Sequence, residues 1–246
     1  MRTFTKIMCV VAVAVFAAVQ AQAQILDDNF NRPDGSLVPT VPTPGPGSAW
    51  ISHSGTLGDL LISSGQAIVQ HGVPSEDAHS MFAAQSAGVL TADFDVTVND
   101  DTKIAGGDYE YFAHFMLDGT FNFLSRLYVV PANDTNTYDY TLGISTSSGG
   151  VTDIFPTDFN YGNQIHVTLT YDFGTSLSSL KVGATTIVSS VVVAQGTLDS
   201  FALRQSDSSN NETISVDNLV VVPEPSTLAL VGAGLVGLLA LRRRRS

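Results

Sequence analysis

Strict alternation of apolar and polar residues is the feature that most restricts how this chain can fold. In residues 90–98, threonine or aspartate separates five apolar side chains, which are Leu90, Ala92, Phe94, Val96 and Val98. Residues 109–117 and 165–173 show a similar alternation. Successive side chains of a β-strand point to opposite faces, so a period of two predicts half-buried antiparallel strands.

Shorter segments rich in β-branched and aromatic residues alternate with stretches of glycine, asparagine, aspartate and serine. They predict further strands at 59–62, 66–70, 79–83, 123–130, 138–145, 178–182, 200–204 and 213–221. No long amphipathic helical pattern lies between them. We therefore predict an all-β fold, in which residues 24–221 form one domain built as a two-sheet antiparallel sandwich.

The first 23 residues have the three parts of a secretory signal peptide. Arg2 and Lys6 supply positive charge, 13 consecutive apolar residues follow at 7–19, and the sequence Ala21-Gln22-Ala23 matches a small-x-small cleavage site. We predict an N-terminal signal helix that signal peptidase removes, so that the mature chain begins at Gln24. An N-terminal membrane anchor is the alternative, although 13 apolar residues are few for a span that needs about 20.

The last 25 residues, 222–246, form a second targeting segment. The prolines and glutamate of Pro223-Glu224-Pro225 precede 14 residues without a polar side chain, at 228–241, and then four arginines: Arg242, Arg243, Arg244 and Arg245. Proline has no N–H, so we predict that the last strand ends before Pro223. As a helix the apolar run would be about 21 Å long, which is short for a hydrocarbon core of about 30 Å. The arginines favour a cytoplasmic C-terminus and an exported body.

This tail resembles the PEP-CTERM sorting signal of Gram-negative bacteria, which combines a Pro-Glu-Pro motif, a glycine-bearing hydrophobic helix and a basic end. The resemblance implies processing by an exosortase, a membrane enzyme similar to cysteine transpeptidases. It also implies transient anchoring in the inner membrane through the C-terminal helix, before delivery to the cell surface, outer membrane or extracellular matrix. An ordinary C-terminal anchor is the alternative.

The two ends of the body carry a second resemblance. Residues 28–37 read Asp-Asn-Phe-Asn-Arg-Pro-Asp-Gly-Ser-Leu, and residues 214–221 read Ile-Ser-Val-Asp-Asn-Leu-Val-Val. These stretches are similar to the opening and closing segments of concanavalin A-like, laminin-G-like jelly rolls in secreted bacterial proteins. The resemblance implies a jelly-roll sandwich whose first and last strands pair in one sheet. It concerns the fold and not a reaction.

The charge of the body restricts its partners. Between Gln24 and Val222 the chain has five basic and 22 acidic residues, which give a formal charge of −17. This charge disfavours nucleic acid, acidic polysaccharide and anionic lipid, unless divalent cations bridge them. The single cysteine, Cys9, lies in the signal peptide, so the exported body has no thiol nucleophile. The sequence also lacks the G-x-S-x-G and H-E-x-x-H motifs, and we predict that the protein is not an enzyme.

A glycan-active enzyme, a glycoside hydrolase or lyase on the same fold, is the alternative. Jelly-roll glycosidases place carboxylates on alternate residues of one strand, and two acid pairs have this spacing: Asp93 with Asp95, and Asp108 with Glu110. Neither pair extends to the E-x-D-x-E pattern of family-16-like enzymes. Among 22 acidic residues such pairs arise by chance, so we predict no catalytic residue.

The sequence requires no cofactor, but two acidic clusters are compatible with a structural calcium ion, because Ca²⁺ binds several carboxylate and carbonyl oxygens. The first cluster is Asp27 or Asp28 with Asp217, which pairing of the terminal strands would bring together. The second lies around two glycines and comprises Asn99, Asp100, Asp101 and Asp108. The alternative for both is turn formation, to which asparagine, aspartate and glycine are suited.

Extracellular polysaccharide is the ligand class that the aromatic residues suggest, because outward-facing rings stack on sugar rings. We predict that four residues contact such a ligand: Glu110, His114, Arg126 and Tyr128. Core packing is the alternative for the aromatic residues. No ligand spacing relates four further histidines, which we interpret as isolated polar positions: His53, His71, His79 and His166. The predicted function is that of an exported structural, adhesive or glycan-binding protein of the bacterial envelope or exopolysaccharide matrix.

Overall fold

The computed structural model describes residues 23–70, 74–99, 109–147, 149–206 and 212–224. Within these ranges every regular element is a β-strand, and no helix is long and apolar enough to cross a membrane. The strands are β1 Leu26–Asp28, β2 Gly35–Ser36, β3 Ile51–Gly55, β4 Leu61–Ser63, β5 Gln66–Val69, β6 Glu76–Gln85, β7 Val89–Val98, β8 Tyr111–Met116, β9 Phe123–Pro131, β10 Tyr140–Ser145, β11 Asp153–Ile154, β12 Gln164–Asp172, β13 Leu177–Val182, β14 Thr185–Val188, β15 Leu198–Gln205 and β16 Ile214–Glu224. The two flanking helices predicted from the sequence lie outside the described residues.

The strands form two antiparallel sheets. The nine-stranded sheet has the order β14-β13-β12-β7-β16-β5-β4-β2, and β1 also pairs with β16. The seven-stranded sheet has the order β11-β10-β9-β8-β15-β6-β3. Neighbours in this order are often far apart in sequence, as β16 and β7 are, because the chain crosses repeatedly between the sheets. The prediction of an all-β, two-sheet antiparallel sandwich is confirmed.

The first and last strands pair, as the jelly-roll resemblance implied. Leu26 lies opposite Val221 and Asp28 opposite Leu219, while the earlier part of β16 pairs with β5. Between these two partners β16 changes register relative to β7, and Asn218 has a φ of 52° there. The irregularity lets one strand serve two successive neighbours on the same side.

The predicted end of the last strand before Pro223 is wrong. Strand β16 continues to Glu224, and Pro223 lies opposite Leu90 of β7. The carbonyl of Val221 accepts a bond from the amide of Ile25 on the β1 side. Groups two residues apart in a strand point the same way, so the nitrogen of Pro223 also faces that side, where β1 has already ended. Proline is tolerated because no ladder bond is lost.

The core fills the space between the sheets. All five alternating apolar residues of 90–98 are fully buried, as the pattern predicted. Phe201 of the seven-stranded sheet makes edge-on contacts with Phe94 from the opposite sheet and with Phe115, at ring-centroid distances of 5.6 and 5.5 Å. Every residue of this main core lies between Leu26 and Val221. The exported body therefore contains its whole described core, independently of the two targeting segments.

Candidate functional site

The outer face of the seven-stranded sheet carries an unusual concentration of polar and aromatic groups. Ala202 of β15 lies opposite His79 of β6 on one side and His114 of β8 on the other. Arg204, two residues further along β15, lies opposite Asp77 of β6. Because alternate residues face opposite sides, these side chains lie on the face turned away from the core.

At one end of this face, five residues form what we call the Tyr111 cluster: Glu110, Tyr111, Arg126, Tyr128 and Arg204. The guanidinium carbons of Arg126 and Arg204 lie 4.3 and 4.5 Å from the centroid of the Tyr111 ring. The Tyr128 ring meets the Tyr111 ring edge-on at 5.8 Å. Cations over an aromatic face are attracted by its negative quadrupole, so Tyr111 holds both arginines in place.

Ion pairs extend the Tyr111 cluster toward β6. Arg204 pairs with the carboxylate of Glu110, and its Nε lies 3.6 Å from Asp77 Oδ1. Burial works against the charge of Arg204, but Tyr111, Glu110 and Asp77 outweigh it and raise the pKa of the guanidinium. Burial raises the pKa values of Tyr111 and Asp77. The arginine therefore stays charged in a half-buried position.

The four predicted ligand-binding residues are brought together, but not all of them reach solvent. Glu110 and Arg126 are half-buried members of the Tyr111 cluster. Tyr128 and His114 are buried, and His114 packs against Tyr111 at a centroid distance of 5.2 Å. The outward orientation assumed for His114 and Tyr128 is correct, but other side chains cover both. They support the surface of the face and do not form it.

Phe121 is an exposed aromatic residue at the edge of this face that sequence reasoning missed. It lies in the connection between β8 and β9, and it is 81% exposed. Its ring lies 6.2 Å from that of Phe123, which in turn lies 5.5 Å from the Arg126 guanidinium. The signal was present: an aromatic residue directly after Gly119-Thr120, between two predicted strands, falls in a turn and not in the core.

Three histidines also meet on this face, and we call them the histidine cluster: His53, His79 and His114. His53 and His79 rings are 5.2 Å apart, and Phe123 lies 5.5 Å from His53 and 4.6 Å from His114. The interpretation of His53 and His79 as isolated is therefore wrong. They are far apart in sequence and meet only because β3, β6 and β8 belong to one sheet. His71 lies outside the described residues.

The outer face of the nine-stranded sheet holds the other candidate acids. His166 Nδ1 lies 2.8 Å from Asp95 Oδ1, and the Thr168 hydroxyl donates to Asp93 at 2.5 Å. Side-chain amides of Gln164 and Asn218 donate to Asp95 at 3.0 and 2.9 Å. His166 is therefore paired as well, and these carboxylates lie on the opposite sheet from Glu110.

Of the two predicted calcium clusters, only the first lies among the described residues, and it does not form a metal site. Both carboxylate oxygens of buried Asp28 accept from the Arg32 guanidinium, at 2.6 and 2.9 Å, and the Trp50 indole donates at 2.8 Å. An arginine thus occupies the place that a cation would take, and Asp217 does not join it. Asp100, Asp101 and Asp108 lie outside the described residues. Within the described ranges, no group of three or more histidine or acidic side chains is arranged to hold a metal ion.

The predicted processing sites are described only in part. Ala23 and Gln24 are exposed, and Ala21 lies outside the described residues. Pro223 and Glu224 belong to β16, whereas Pro225, Arg242, Arg243, Arg244 and Arg245 are not described. The proposed cleavage after Ala23 remains a prediction.

Comparison with protein families identifies the tail. The model of the PEP-CTERM protein-sorting motif matches residues 221–245. The predicted sorting signal is confirmed, and the motif implies an exported protein that an exosortase processes. The motif overlaps the last residues of β16, so sorting signal and sandwich share residues. No curated protein matches the chain.

Comparison with solved structures concerns the fold. A sialidase matches 82% of this chain over 19% of its own length, with a TM-score of 0.52 and 10% sequence identity. Lectin UEA-II complexed with galactose matches 82% of this chain and 100% of its own, with a TM-score of 0.47 and 14% identity. Peanut lectin with a nine-residue peptide matches 78% of this chain and 98% of its own, with a TM-score of 0.45 and 13% identity. At 10% identity the sialidase match concerns the fold alone, and it agrees with the predicted sandwich.

Proposed function

We propose that this exported protein, which carries a PEP-CTERM motif, binds carbohydrate without transforming it. The binding surface is the Tyr111 cluster together with Phe121. The observation that carries the proposal is Phe121, an 81% exposed aromatic ring beside a group of fixed charged side chains. An exposed ring that packs into no core provides a platform for a sugar ring, and nearby polar groups orient its hydroxyls.

The charges of the Tyr111 cluster suit a neutral glycan. The cations Arg126 and Arg204 stand beside the acids Glu110 and Asp77, so the surface offers both donors and acceptors without a strong local field of one sign. The body as a whole carries −17, which repels anionic polymers at low salt. Individually weak contacts of this kind gain strength when many copies meet one polymer, as in an exopolysaccharide matrix.

The arrangement of carboxylates favours binding over hydrolysis. Glycoside hydrolysis needs two carboxyl groups that flank one bond. Glu110 and Asp77 lie on one face of the seven-stranded sheet, but the Arg204 guanidinium pairs with both of them. Asp93 and Asp95 lie on the other sheet and accept bonds from Thr168, Gln164 and Asn218. A glycan-active enzyme therefore remains only the alternative, and we propose a structural, adhesive or glycan-binding role at the cell surface.

The proposal is tested by measuring glycan binding to the body, residues 24–224. A glycan array identifies the ligand, and isothermal titration measures its affinity. We expect Phe121→Ala to weaken binding about fivefold, which corresponds to loss of about 1 kcal/mol of stacking. The matched control is Tyr138→Ala, because Tyr138 is a 41% exposed aromatic residue at the other end of β9. Equal affinities of wild type and Phe121→Ala, or no glycan bound at all, would refute the proposal.

The proposed address is tested separately on protein extracted from the cell surface. Its intact mass should lack both the first 23 residues and the arginines at 242–245. A mature protein that keeps the complete C-terminus would contradict processing by an exosortase.

A further inference from the structure

The histidine cluster contains five buried ring nitrogens that form no hydrogen bond: both nitrogens of His53, both nitrogens of His114, and Nδ1 of His79. The sixth, Nε2 of His79, has Asp118 Oδ1 3.1 Å away. A neutral imidazole has one N–H donor and one acceptor, and burying either without a partner costs free energy. Three such side chains within one contact group are unusual, because most buried polar atoms are satisfied.

The segment that covers these rings is the connection from β8 to β9 together with Phe123, the first residue of β9. Phe123 stands over His53 and His114, and Asp118 reaches back so that its Oδ1 lies 3.1 Å from His79 Nε2. The backbone N–H of Asp118 also donates to Asp199 at 2.8 Å. The same connection carries Phe121. Residues 117–123 therefore form a cover over the histidines, and they also supply the exposed ring of the proposed binding surface.

The charged groups around the cluster differ between its members. His53 and His79 face each other and the carboxylates of Asp77, Asp118 and Asp199. His114 is fully buried and faces Tyr111, and the charges that act on it are those of Arg126 and Arg204 and of the other two histidines. A proton on His114 would therefore lie without a carboxylate beside it and close to two guanidinium groups.

Burial lowers the pKa values of His53 and His79, and burial together with the neighbouring cations lowers the pKa of His114 well below its usual value. When the cover opens, the rings reach water and regain an ordinary pKa of about 6.5. The open form then binds more protons than the closed form at any pH below that value. Acidification consequently favours opening, whereas above pH 7 the histidines have no such effect. Asp77 and Asp118 raise the pKa values of His53 and His79 in the closed form, so they weaken the effect of acid on these two histidines. Among the described residues, no carboxylate acts on His114 in this way.

We propose that the histidine cluster makes the cover, residues 117–123, open reversibly in acid, and that the body then releases bound carbohydrate. The release of carbohydrate rests on the proposed function, whereas the opening of the cover does not. For each histidine that stays neutral when closed, the equilibrium constant for opening rises about 30-fold at pH 5.0, since this pH is about 1.5 below an ordinary histidine pKa.

The opening is tested without any glycan, by hydrogen exchange of residues 24–224 followed by mass spectrometry. After correction for intrinsic rates, residues 117–123 should lose at least tenfold protection between pH 7.0 and pH 5.0, while β12 keeps its protection. In His114→Leu the loss should fall below threefold. The matched control is His166→Gln, whose histidine is exposed on the other sheet; it should respond like the wild type.

A measurement on the wild type keeps the proposal falsifiable if His114→Leu fails to fold. Two-dimensional NMR of the ring nitrogens should show His114 neutral down to at least pH 5.5. Titration of His114 near 6.5, unchanged protection of residues 117–123 at pH 5.0, or an undiminished loss in His114→Leu would each overturn the inference. If the cover opens but no glycan binds at pH 7.0, the proposed function fails and the acid response stands.

Discussion

The two outer faces of the sandwich use the same kinds of residue in opposite ways. On the nine-stranded sheet, His166 is 62% exposed and contacts Asp95 at 2.8 Å. On the seven-stranded sheet, His114 is fully buried and neither of its ring nitrogens has a hydrogen-bond partner. Water solvates and screens the first arrangement, whereas the second depends on the side chains that cover it. A polar residue on the outside of a sheet is therefore not always a surface residue.

The difference arises from the connections and not from the strands. Residues 117–123 cover one part of the seven-stranded sheet. At another part, the segment that leads into edge strand β11 places Val151 against Gly143, and the Thr141 hydroxyl lies 3.1 and 2.8 Å from the carbonyl oxygens of Phe155 and Thr157. The centre of the nine-stranded sheet has no comparable contacts in the part that is described: Asp93, Asp95 and Thr168 bond to their neighbours along the face. Changes on the covered face should therefore cost more free energy of unfolding than the same changes on the open face.

The largest expected difference concerns Arg204. Replacing it in Arg204→Met leaves Glu110 and Asp77 without their cation in a half-buried position, so we expect a loss of about 3 kcal/mol of unfolding free energy. On the open face, His166→Gln should change the free energy of unfolding by less than about 0.5 kcal/mol, since ion pairs at exposed positions contribute little to stability. Urea denaturation at pH 7 measures both. Equal losses of unfolding free energy in Arg204→Met and His166→Gln would contradict the difference between the covered and the open face.

The second effect tests how the segment that leads into β11 packs against β10. A Cβ on Gly143 would stand 2.6 Å from Cγ1 of Val151 in this segment. We expect Gly143→Ala to destabilise the protein by about 1 to 2 kcal/mol through overpacking. Gly196→Ala is the control, because a Cβ there meets nothing within 4 Å, and it should be neutral or slightly stabilising. Thermal unfolding of both variants shows whether the segment packs tightly.

A smaller effect concerns Asp217 on the nine-stranded sheet. Burial, with the nearby charges of Asp95 and Asp28, raises its pKa, so its ionised form is disfavoured in the folded protein. At pH 7 Asp217→Asn should therefore stabilise the fold, by under about 1 kcal/mol because solvent screens the site. The gain should vanish below the ordinary aspartate pKa of about 3.9, where the wild type is protonated too.

Asp158→Asn should change stability in the opposite direction. Burial works against the charge of Asp158, but the hydrogen bonds from Asn133 and Asp134 together outweigh it and lower the pKa of the carboxyl group. Removing this carboxylate should destabilise the fold at pH 7, and the loss should shrink as pH falls. Denaturation at pH 7 and 3.5 measures the two variants side by side. If Asp217→Asn and Asp158→Asn changed the free energy of unfolding in the same direction, the surroundings of the two carboxylates would not determine the effect of removing them.

The last prediction is that substitutions on the open face leave glycan binding unchanged. The double variant Asp93→Asn, Asp95→Asn changes only the open face, so glycan affinity should stay within twofold of the wild type. Neither protein should release reducing ends from soluble polysaccharides. Turnover by the wild type that the double variant abolishes would instead favour a glycan-active enzyme, with its site on the nine-stranded sheet.

Alternation allowed most of the strands to be predicted from the sequence. The segment 90–98 became β7, and 165–173 became β12, because a period of two over nine residues leaves little choice of conformation. Strand β1 was implied only by the jelly-roll resemblance, and β2, β3, β11 and β14 were not predicted, since strands of two to five residues seldom show a clear period. Their positions depend on partners that lie far away in the sequence.

The candidate site could be predicted only in part. The structure brings Glu110, His114, Arg126 and Tyr128 close together, and their contact with a ligand stays a prediction. Alternation alone would place Tyr111 and His114 on opposite faces, but they meet because β8 changes register relative to β9. Which of the four predicted residues reach solvent depends on Phe123 and on the path of residues 117–122, and a sequence pattern does not describe how a connection folds back. The meeting of His53 with His79 likewise required the strand order of the sheet, which no local signal contains.

Strand β16 has neighbours on both sides for most of its length, and its last residues belong to the sorting motif. In a cell-surface protein held by its C-terminus, tension from flowing water or from a neighbouring cell would enter the domain through this strand. Such a force acts along the strand, so the bonds between β16 and β7 are loaded in shear and share the load. Strand β1 is paired to the same strand, so the start of the domain resists together with its end. A point of attachment at this end of the chain would therefore lie where the sandwich is mechanically well supported.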